Sequence, residues 1–122
     1  MKIVEIAFTV LPVLDLAKSR RFYEDVLQLK ATHVFEKGGM GMVEYDIGSG
    51  TVTIGSGSPL FKPSKDGGAV AFEVEDFDVA IASLKKHQCS FTLEPIETPV
   101  CRMAVIADLD GNSLMIHKRK RA

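Results

Sequence analysis

Apolar and polar residues alternate over short stretches of this chain, and apolar residues recur at helical spacing in two longer stretches. The first half predicts one helix and four strands: a helix over 16–28 and strands over 3–10, 30–36, 42–47 and 51–55. The second half predicts the same set: a helix over 77–88 and strands over 68–75, 90–95, 100–107 and 113–118. Asp15 and Asp76 stand where each helix would need its N-cap. Each half is therefore expected to have the order βαβββ.

Two stretches of the first half reappear in the second half in the same order. AFTV at 7–10 matches AFEV at 71–74, and DIGSGTVTI at 46–54 matches DLDGNSLMI at 108–116. Such self-similarity indicates a duplicated unit of about sixty residues. Matched in this way, the first copy carries a small insertion around Leu11–Val13. We expect a single domain of 1–122 that consists of module 1 at about 1–56, a Gly-, Pro- and Ser-rich linker at about 56–67, and module 2 at about 68–122.

Strand periodicity predicts two different sheet faces. One face is apolar and suits a sheet covered by helices; it is assigned Val4, Ile6, Phe8, Val10, Val52, Ile54, Val70, Phe72, Val74, Leu114 and Ile116. The opposite face is small and partly polar, and we call it the mixed face; it is assigned Glu5, Ala7, Thr9, Thr51, Thr53, Ala69, Ala71, Glu73, Ser113, Met115 and His117. A mixed face either meets water or lines a ligand cavity. With two copies that curve alike, we expect a shared concave trough.

Composition narrows the function classes. Fifteen basic and sixteen acidic residues leave a formal charge of −1, which gives no electrostatic case for nucleic acid. We expect the basic cluster at 117–121 to be a solvated tail. No stretch is long enough for a transmembrane helix, and the N-terminus is too short and mixed for a signal peptide. Cys89 and Cys101 form neither a disulfide framework nor a zinc signature, so a cytoplasmic protein is expected.

Two short motifs accompany the duplicated order. D-L-x-x-S-x-x-F-Y runs from Asp15 to Tyr23, and D-x-D-G-N runs from Asp108 to Asn112. Together with the order of elements, these motifs resemble the vicinal oxygen chelate superfamily, which includes glyoxalase I, extradiol dioxygenases, fosfomycin-resistance transferases and bleomycin-resistance proteins. The resemblance covers essentially the whole chain. It implies an α+β fold whose two βαβββ modules form an open, eight-stranded, barrel-like sheet with helices outside, often completed within a homodimer.

The resemblance also implies where a metal would bind. Metal-using members place a ligand, usually His, Gln or Glu, on the first and the last strand of each module, which carries over to Glu5, Thr53, Ala69 and Met115. All four lie on the predicted mixed face. Glu5 could bind a divalent cation, but Thr53 is a poor ligand, and Ala69 and Met115 offer no hard donor. We therefore expect neither a metal nor another cofactor.

A few side chains remain candidates for chemistry. Glu5 and His117 are the candidate catalytic residues, although a solvated position near a strand end is the favoured interpretation for each. A displaced metal site made of Glu5, Glu73 and His117 is the disfavoured alternative. Cys101 shares a face with Met103 and is expected to be a buried, inert thiol. The residues expected to line the trough are Glu5, Thr9, Tyr45, Thr53, Glu73, Cys101, Met103, Met115 and His117.

Three functions fit this pattern. The leading hypothesis is a metal-free protein that binds or sequesters a small organic molecule in the trough, as the resemblance to bleomycin-resistance proteins implies. The first alternative is a glyoxalase-like lyase or dioxygenase with a divergent metal site. The second is a structural dimerisation module whose trough is filled by side chains. No Walker loop, dinucleotide fingerprint, nucleophile elbow or HExxH motif points elsewhere.

Overall fold

The computed structural model describes residues 1–120, which fall into two units that divide after Pro63. The first unit contains β1 (Thr9–Pro12), α1 (Leu16–Arg21), a π-helical turn (Phe22–Val26), β2 (His33–Lys37), β3 (Met40–Ile47) and β4 (Gly50–Ser56). The second unit contains β5 (Ala69–Glu73), α2 (Phe77–Lys86), β6 (Ser90–Glu97), β7 (Cys101–Ala107) and β8 (Ser113–Arg119). Arg121, at the end of the predicted basic cluster, lies outside the described residues.

Each unit builds one four-stranded mixed sheet. The strand orders are β1-β4-β3-β2 in the first unit and β5-β8-β7-β6 in the second. In both sheets the first strand runs parallel to the last, and the other neighbouring pairs are antiparallel. The α+β fold class and its two βαβββ modules are therefore confirmed. No helix within residues 1–120 is both long and apolar enough to cross a membrane.

The two helices begin and end in the same way. The side chain of Asp15 accepts a hydrogen bond from the backbone N–H of Lys18 (3.0 Å), and Asp76 does the same for Val79 (3.1 Å). Gln28 and Gln88 follow the helical segments with φ angles of 61° and 57°. This left-handed conformation turns the chain out of a helix. Both predicted N-caps are therefore confirmed.

The D-x-D-G-N motif shapes the turn that leads into β8. Oδ1 of Asp108 accepts the backbone N–H groups of Asp110 and Asn112, each at 2.9 Å. The amide of Asn112 donates to the other carboxylate oxygen at 2.9 Å. Gly111 has a φ of 86°, which a residue without Cβ adopts readily. In this chain the hydrogen bonds of the motif fix the turn that precedes β8.

The first strand differs from the sequence prediction. It begins at Thr9 and not at residue 3, and residues 1–8 belong to no strand. Val4 and Ile6, which were assigned to the apolar face, are 77% and 81% exposed. In the observed register, Val10 pairs with Thr53 and Leu11 pairs with Ile54. Leu11 therefore lies on the apolar face, and Val10 lies on the mixed face.

The error comes from matching AFTV with AFEV. The N-caps are 61 residues apart (76 − 15), and the same offset matches Leu11 with Phe72. The AFTV match uses an offset of 64 and is wrong by three residues. An odd shift turns every side chain of a strand to the other face. With the offset of 61, no insertion around Leu11–Val13 is needed.

The second unit agrees with the predicted faces. Val70 pairs with Leu114 and Phe72 pairs with Ile116, and the two β8 residues are buried. Ala71 and Glu73 pair with Met115 and His117 on the opposite side of the sheet. The β5–β8 register therefore separates an apolar face from a mixed face, as the alternation indicates.

The face assignment in β1 can be tested by truncation. We expect Leu11→Ala to lower the free energy of unfolding by about 2–4 kcal/mol, because it removes a buried side chain from the apolar face. Val10→Ala should cost less than about 1 kcal/mol, because Val10 is only partly buried. Urea denaturation followed by circular dichroism measures both. A larger loss for Val10→Ala than for Leu11→Ala would contradict the register.

Candidate functional site

The mixed face of the second unit brings four predicted site residues together. His117 on β8 lies beside Glu73 on β5 and opposite Met103 on β7. Met115, two residues earlier on β8, lies opposite Val105. Met103, Met115 and His117 are partly buried, whereas Leu114 and Ile116 on the other face are buried. This face is therefore an apolar surface with one histidine–carboxylate pair at its end.

Two hydrogen bonds fix Glu73. Its Oε1 lies 2.6 Å from Nδ1 of His117, and its Oε2 accepts the backbone N–H of Arg119 at 2.8 Å. The Arg119 bond first, and the His117 bond second, hold the pKa of Glu73 below its usual value. An ionised carboxylate only accepts hydrogen bonds, so Nδ1 of His117 carries the proton in this pair. Nε2 of His117 is then left to interact with another group.

Cys101 lies further along the same face of β7 but is buried. It pairs with Arg119 in the sheet register, and its sulfur lies 3.3 Å from Oγ1 of Thr98. Thr98 Oγ1 also accepts the backbone N–H of Cys101 at 3.0 Å. The thiol is thus part of the turn before β7, in keeping with the structural role expected from the sequence.

The mixed face of the first unit contains a buried hydroxyl. Thr53 on β4 pairs with Val10 on one side and with Glu44 on the other. Its side chain is fully buried, and within the described residues its Oγ1 has no hydrogen-bond partner. Burying a hydroxyl without a partner costs about 1–3 kcal/mol. A water molecule or a ligand atom at this point would remove that cost.

Next to Thr53 the sheet carries a second histidine–carboxylate pair, which the sequence analysis missed. His33 lies opposite Glu44, and its Nδ1 is 3.2 Å from Oε1 of Glu44. His33 is the more exposed partner, with 61% of its side chain accessible. The two side chains are therefore farther apart and more exposed to solvent than those of the Glu73–His117 pair.

The sequence contained a signal for this pairing. Gly38 and Gly39 have φ angles of 60° and 80°, which suit a two-residue hairpin turn between β2 and β3. A turn centred there places His33 directly opposite Glu44, because Lys37 then pairs with Met40 and the register continues outward. The glycine pair in KGGM was therefore enough to find the His33–Glu44 pair.

Three predicted site residues lie elsewhere. Glu5 is exposed and precedes β1, so it belongs to no strand. Thr9 pairs with Val52, on the apolar side of the sheet. Tyr45 is fully buried on that side, with its ring 6.0 Å from the ring of Tyr23.

Tyr45 belongs to a partly buried polar network and not to the mixed face. Its hydroxyl donates to Oε2 of Glu24 at 2.9 Å, and the same oxygen accepts Nε of Arg20 at 2.7 Å. Burial, and then the bond to Glu24, raise the pKa of Tyr45. The Arg20 bond lowers the pKa of Glu24, so the network keeps a neutral phenol beside an ionised carboxylate.

An open depression of about 390 Å³ lies at the β2–β3 hairpin, away from these groups. Its lining residues are Leu16, Glu36, Lys37, Gly38, Gly39, Met40, Gly41 and Ser56. At Gly41 there is no room for a larger side chain, because an added Cβ would lie 2.6 Å from Cδ2 of Leu16. None of the predicted site residues lines this depression.

The residues at the positions that the resemblance assigns to metal ligands do not fit a metal. Glu5 is exposed and belongs to no strand, Ala69 has no donor atom, Met115 offers a soft thioether, and Thr53 offers a buried hydroxyl. The neighbour of Ala69 in the register is Ser113, which adds no strong ligand. Among the described residues, no group of three or more His, Cys, Asp or Glu side chains is placed to hold an ion.

The sequence matches the family model for the glyoxalase/bleomycin resistance protein/dioxygenase superfamily over residues 5–116. The chain therefore belongs to this superfamily. Solved structures share its fold, and three of them show the range of the similarity. No curated protein matches the sequence.

The first is TnmS3, an antibiotic binding protein from Streptomyces sp. CB03234, with 20% identity, 98% of this chain and 99% of that chain covered, and a TM-score of 0.84. The second is a glyoxylase/bleomycin resistance protein/dioxygenase domain from Frankia sp. EAN1pec, with 20% identity, 99% and 96% coverage, and a TM-score of 0.80. The third is glyoxalase I from Leishmania major, with 23% identity, 94% and 86% coverage, and a TM-score of 0.78. At these identities the similarity shows the fold.

The hydrogen bonds of Glu73 lead to a prediction about the pH dependence of stability. The folded state lowers the pKa of Glu73, so its contribution to stability is present above the unfolded value, about 4.3, and is lost as the pH falls through the folded value. We expect Glu73→Gln to melt at a lower temperature than wild type at pH 7 and to lose that difference at about pH 2.5.

Thermal melts followed by circular dichroism at both pH values check this expectation, with Glu75→Gln as the control, because Glu75 is an exposed carboxylate next to the same strand end. A difference between wild type and Glu73→Gln that persists at the acidic pH would show that the charge-dependent bonds are not its cause.

Proposed function

We propose that this chain binds a small organic molecule without a metal ion, and that the ligand contacts the mixed face of the second unit. Binding or sequestration of the molecule is then the function, and its chemical conversion is not. The observation that carries the proposal is the mixed face of the second unit, where Met103, Val105 and Met115 form an apolar surface beside His117.

The chemistry of this surface favours an organic ligand. Methionine side chains are flexible and polarisable, so they adapt to ligands of irregular shape and contact aromatic rings favourably. Ligand pockets in proteins are mostly apolar with a small number of placed polar groups. A surface with two methionines, a valine and one histidine–glutamate pair has that composition.

The comparisons give independent support. TnmS3 is an antibiotic binding protein, so binding of an organic molecule occurs on this fold. The glyoxalase I structure from Leishmania major shows that the fold also belongs to an enzyme. The donor-poor positions Thr53, Ala69 and Met115 favour binding over metal-dependent lyase or dioxygenase chemistry for this chain. A homodimer and a cytoplasmic location remain predictions from the sequence.

The proposal predicts that a charge on the mixed face abolishes binding. The probe is the neutral dye N-phenyl-1-naphthylamine, whose fluorescence increases in apolar surroundings, added to protein dialysed against EDTA. We expect wild type to bind the dye and Met115→Lys to bind it at least about tenfold more weakly, because the ammonium group would have to lose water against the bound dye. Val79→Lys is the matched control, since Val79 is exposed on α2.

Three results would contradict the proposal. The first is dye binding that requires an added divalent ion, and the second is dye binding that Met115→Lys leaves unchanged. The third is turnover of the hemithioacetal of methylglyoxal and glutathione, or of catechol, when Ni²⁺, Zn²⁺, Mn²⁺ or Fe²⁺ is supplied. Failure of wild type to bind the dye would instead support the structural dimerisation alternative.

A further inference from the structure

We infer that the Glu73–His117 pair recognises an ionisable hydroxyl group on a flat aromatic ligand; this inference rests on the proposed binding function and specifies its ligand class. Glu73 holds Nδ1 of His117 at 2.6 Å and is itself fixed by the backbone N–H of Arg119 at 2.8 Å. The imidazole ring is therefore oriented by one partner, and its second nitrogen has no hydrogen bond within residues 1–120. Glu73 is the positioning residue, and His117 is the group that contacts the ligand.

The two protonation states of His117 explain why a hydroxyl suits this site. With the proton on Nδ1, neutral His117 presents Nε2 as an acceptor, and a ligand O–H can donate to it. When the proton moves from the ligand oxygen to Nε2, the O–H bond breaks and an N–H bond forms. The resulting imidazolium then donates to the ligand's phenolate oxygen, and Glu73 stabilises the positive charge. A hydroxyl thus makes a hydrogen bond in both states.

Other ligand groups fit less well. A carboxylate accepts hydrogen bonds only, so it would pair with the imidazolium and not with the neutral ring. An ammonium group would donate to the neutral ring but would be repelled by the imidazolium. A group without an exchangeable proton or an acceptor would leave Nε2 unpaired when the ligand covers it, at a cost of about 1–3 kcal/mol. Of these groups, only the hydroxyl can make a hydrogen bond to Nε2 in both protonation states of His117.

The surroundings of His117 supply the remainder of the ligand class. Met103 lies directly opposite His117, and Met115 lies two residues before it on the same face. Ala71 and Val105 flank Met115 on its two neighbouring strands. These side chains are small or flexible, so together they can form a flat apolar surface next to Nε2. Thioethers contact aromatic rings favourably, which argues for a flat aromatic skeleton.

Few other charges act on this position. Within residues 1–120, the titratable groups that β5, β7 and β8 place on the same face as His117 are Glu73, Arg119 and the buried thiol of Cys101. Arg102 and Lys118 alternate with these residues and therefore point to the opposite face, where Arg102 binds Asp78 at 2.8 Å. Arg119, two residues beyond His117 on this face, carries a positive charge. The local charges therefore agree with a hydroxyl that ionises on binding.

A matched pair of small molecules tests the inference. The probes are 4-nitrophenol, whose phenolate form absorbs visible light, and nitrobenzene, which has the same ring without a hydroxyl. Protein dialysed against EDTA is titrated with each probe, and affinity is measured by calorimetry. We expect wild type to bind 4-nitrophenol about tenfold more tightly than nitrobenzene. We also expect bound 4-nitrophenol to show its phenolate band at a lower pH than the free compound.

Variants separate the contributions of the Glu73–His117 pair and of the apolar surface to probe binding. His117→Gln and Glu73→Gln should each lose the preference for 4-nitrophenol and the shift of the phenolate band, while affinity for nitrobenzene changes less than about twofold. The band shift reports proton transfer to Nε2, which a purely structural role of Glu73 would not change. Met115→Lys should weaken binding of nitrobenzene, since it alters the apolar surface. Circular dichroism spectra confirm that each variant is folded.

The outcomes distinguish the two proposals. Equal affinity for both probes in wild type, or a preference that survives His117→Gln, overturns the role of the pair and leaves the proposed binding function standing. Absence of binding for both probes overturns the inferred ligand class; the neutral dye then shows separately whether the mixed face binds any organic molecule. Tighter binding of 4-nitrophenol without a shifted band also overturns the inference, because the hydroxyl would then keep its proton.

Discussion

The parallel pairing of the first and last strands in each unit decides which side chains share a sheet face. In the second unit this register places Glu73 beside His117 and Ala71 beside Met115. In the first unit it places Val10 beside Thr53 and Leu11 beside Ile54. Because side chains alternate strictly along a strand, a shift of one residue would exchange the apolar and the mixed face. Every feature of the candidate site depends on this register.

The N-caps show how the sequence encodes the register. Asp15 and Asp76 each bind the backbone N–H three residues later, which fixes where each helix begins. The strand before each helix ends three residues before its cap, at Pro12 and at Glu73. A short connection of constant length thus ties the helix start to the strand end. The capping aspartates are a better guide to the repeat than the letters AFTV and AFEV.

The local nature of these signals explains which parts of the fold could be predicted from the sequence. The helix starts, the β5–β8 faces and the order of elements follow from local signals: capping residues and the alternation of apolar with polar residues. The first strand was misplaced because residues 3–8 alternate as a strand does, yet they extend beyond the part of β4 that β1 pairs with. Pairing partners are set by the fold, and alternation alone does not identify them.

The candidate site, like the fold, could be predicted only in part. The alternation in the second unit correctly predicts that Met103, Met115, His117 and Glu73 share a face. The observed register of β5, β7 and β8 places them side by side. Tyr45 was assigned to the wrong face, since the alternation around it gives no direction without the packing of Tyr23. The Glu73–His117 bond joins residues 44 positions apart. The alternation places both residues on the mixed face, and the β5–β8 register makes them direct neighbours.

Family membership and site chemistry lead to different conclusions for this chain. The superfamily match and the shared fold allow metal chemistry, but function depends on the residues that occupy the site. Thr53, Ala69 and Met115 supply no set of hard donors, whereas Met103, Met115 and His117 are the basis of the proposal that an organic molecule binds. The residue types on the mixed face, and not the fold, therefore carry the functional conclusion.

The central claim is that the mixed face of the second unit binds an organic molecule and not a metal ion. The chain has five methionines, so a carbon-13 label on their methyl groups gives a small set of nuclear magnetic resonance signals. After dialysis against EDTA, addition of 4-nitrophenol or N-phenyl-1-naphthylamine should shift the signals of Met103 and Met115 and leave that of Met1 unchanged. Zn²⁺ or Ni²⁺ alone should shift neither. Shifts of Met115 caused by the metal, or none caused by either organic probe, would contradict the account.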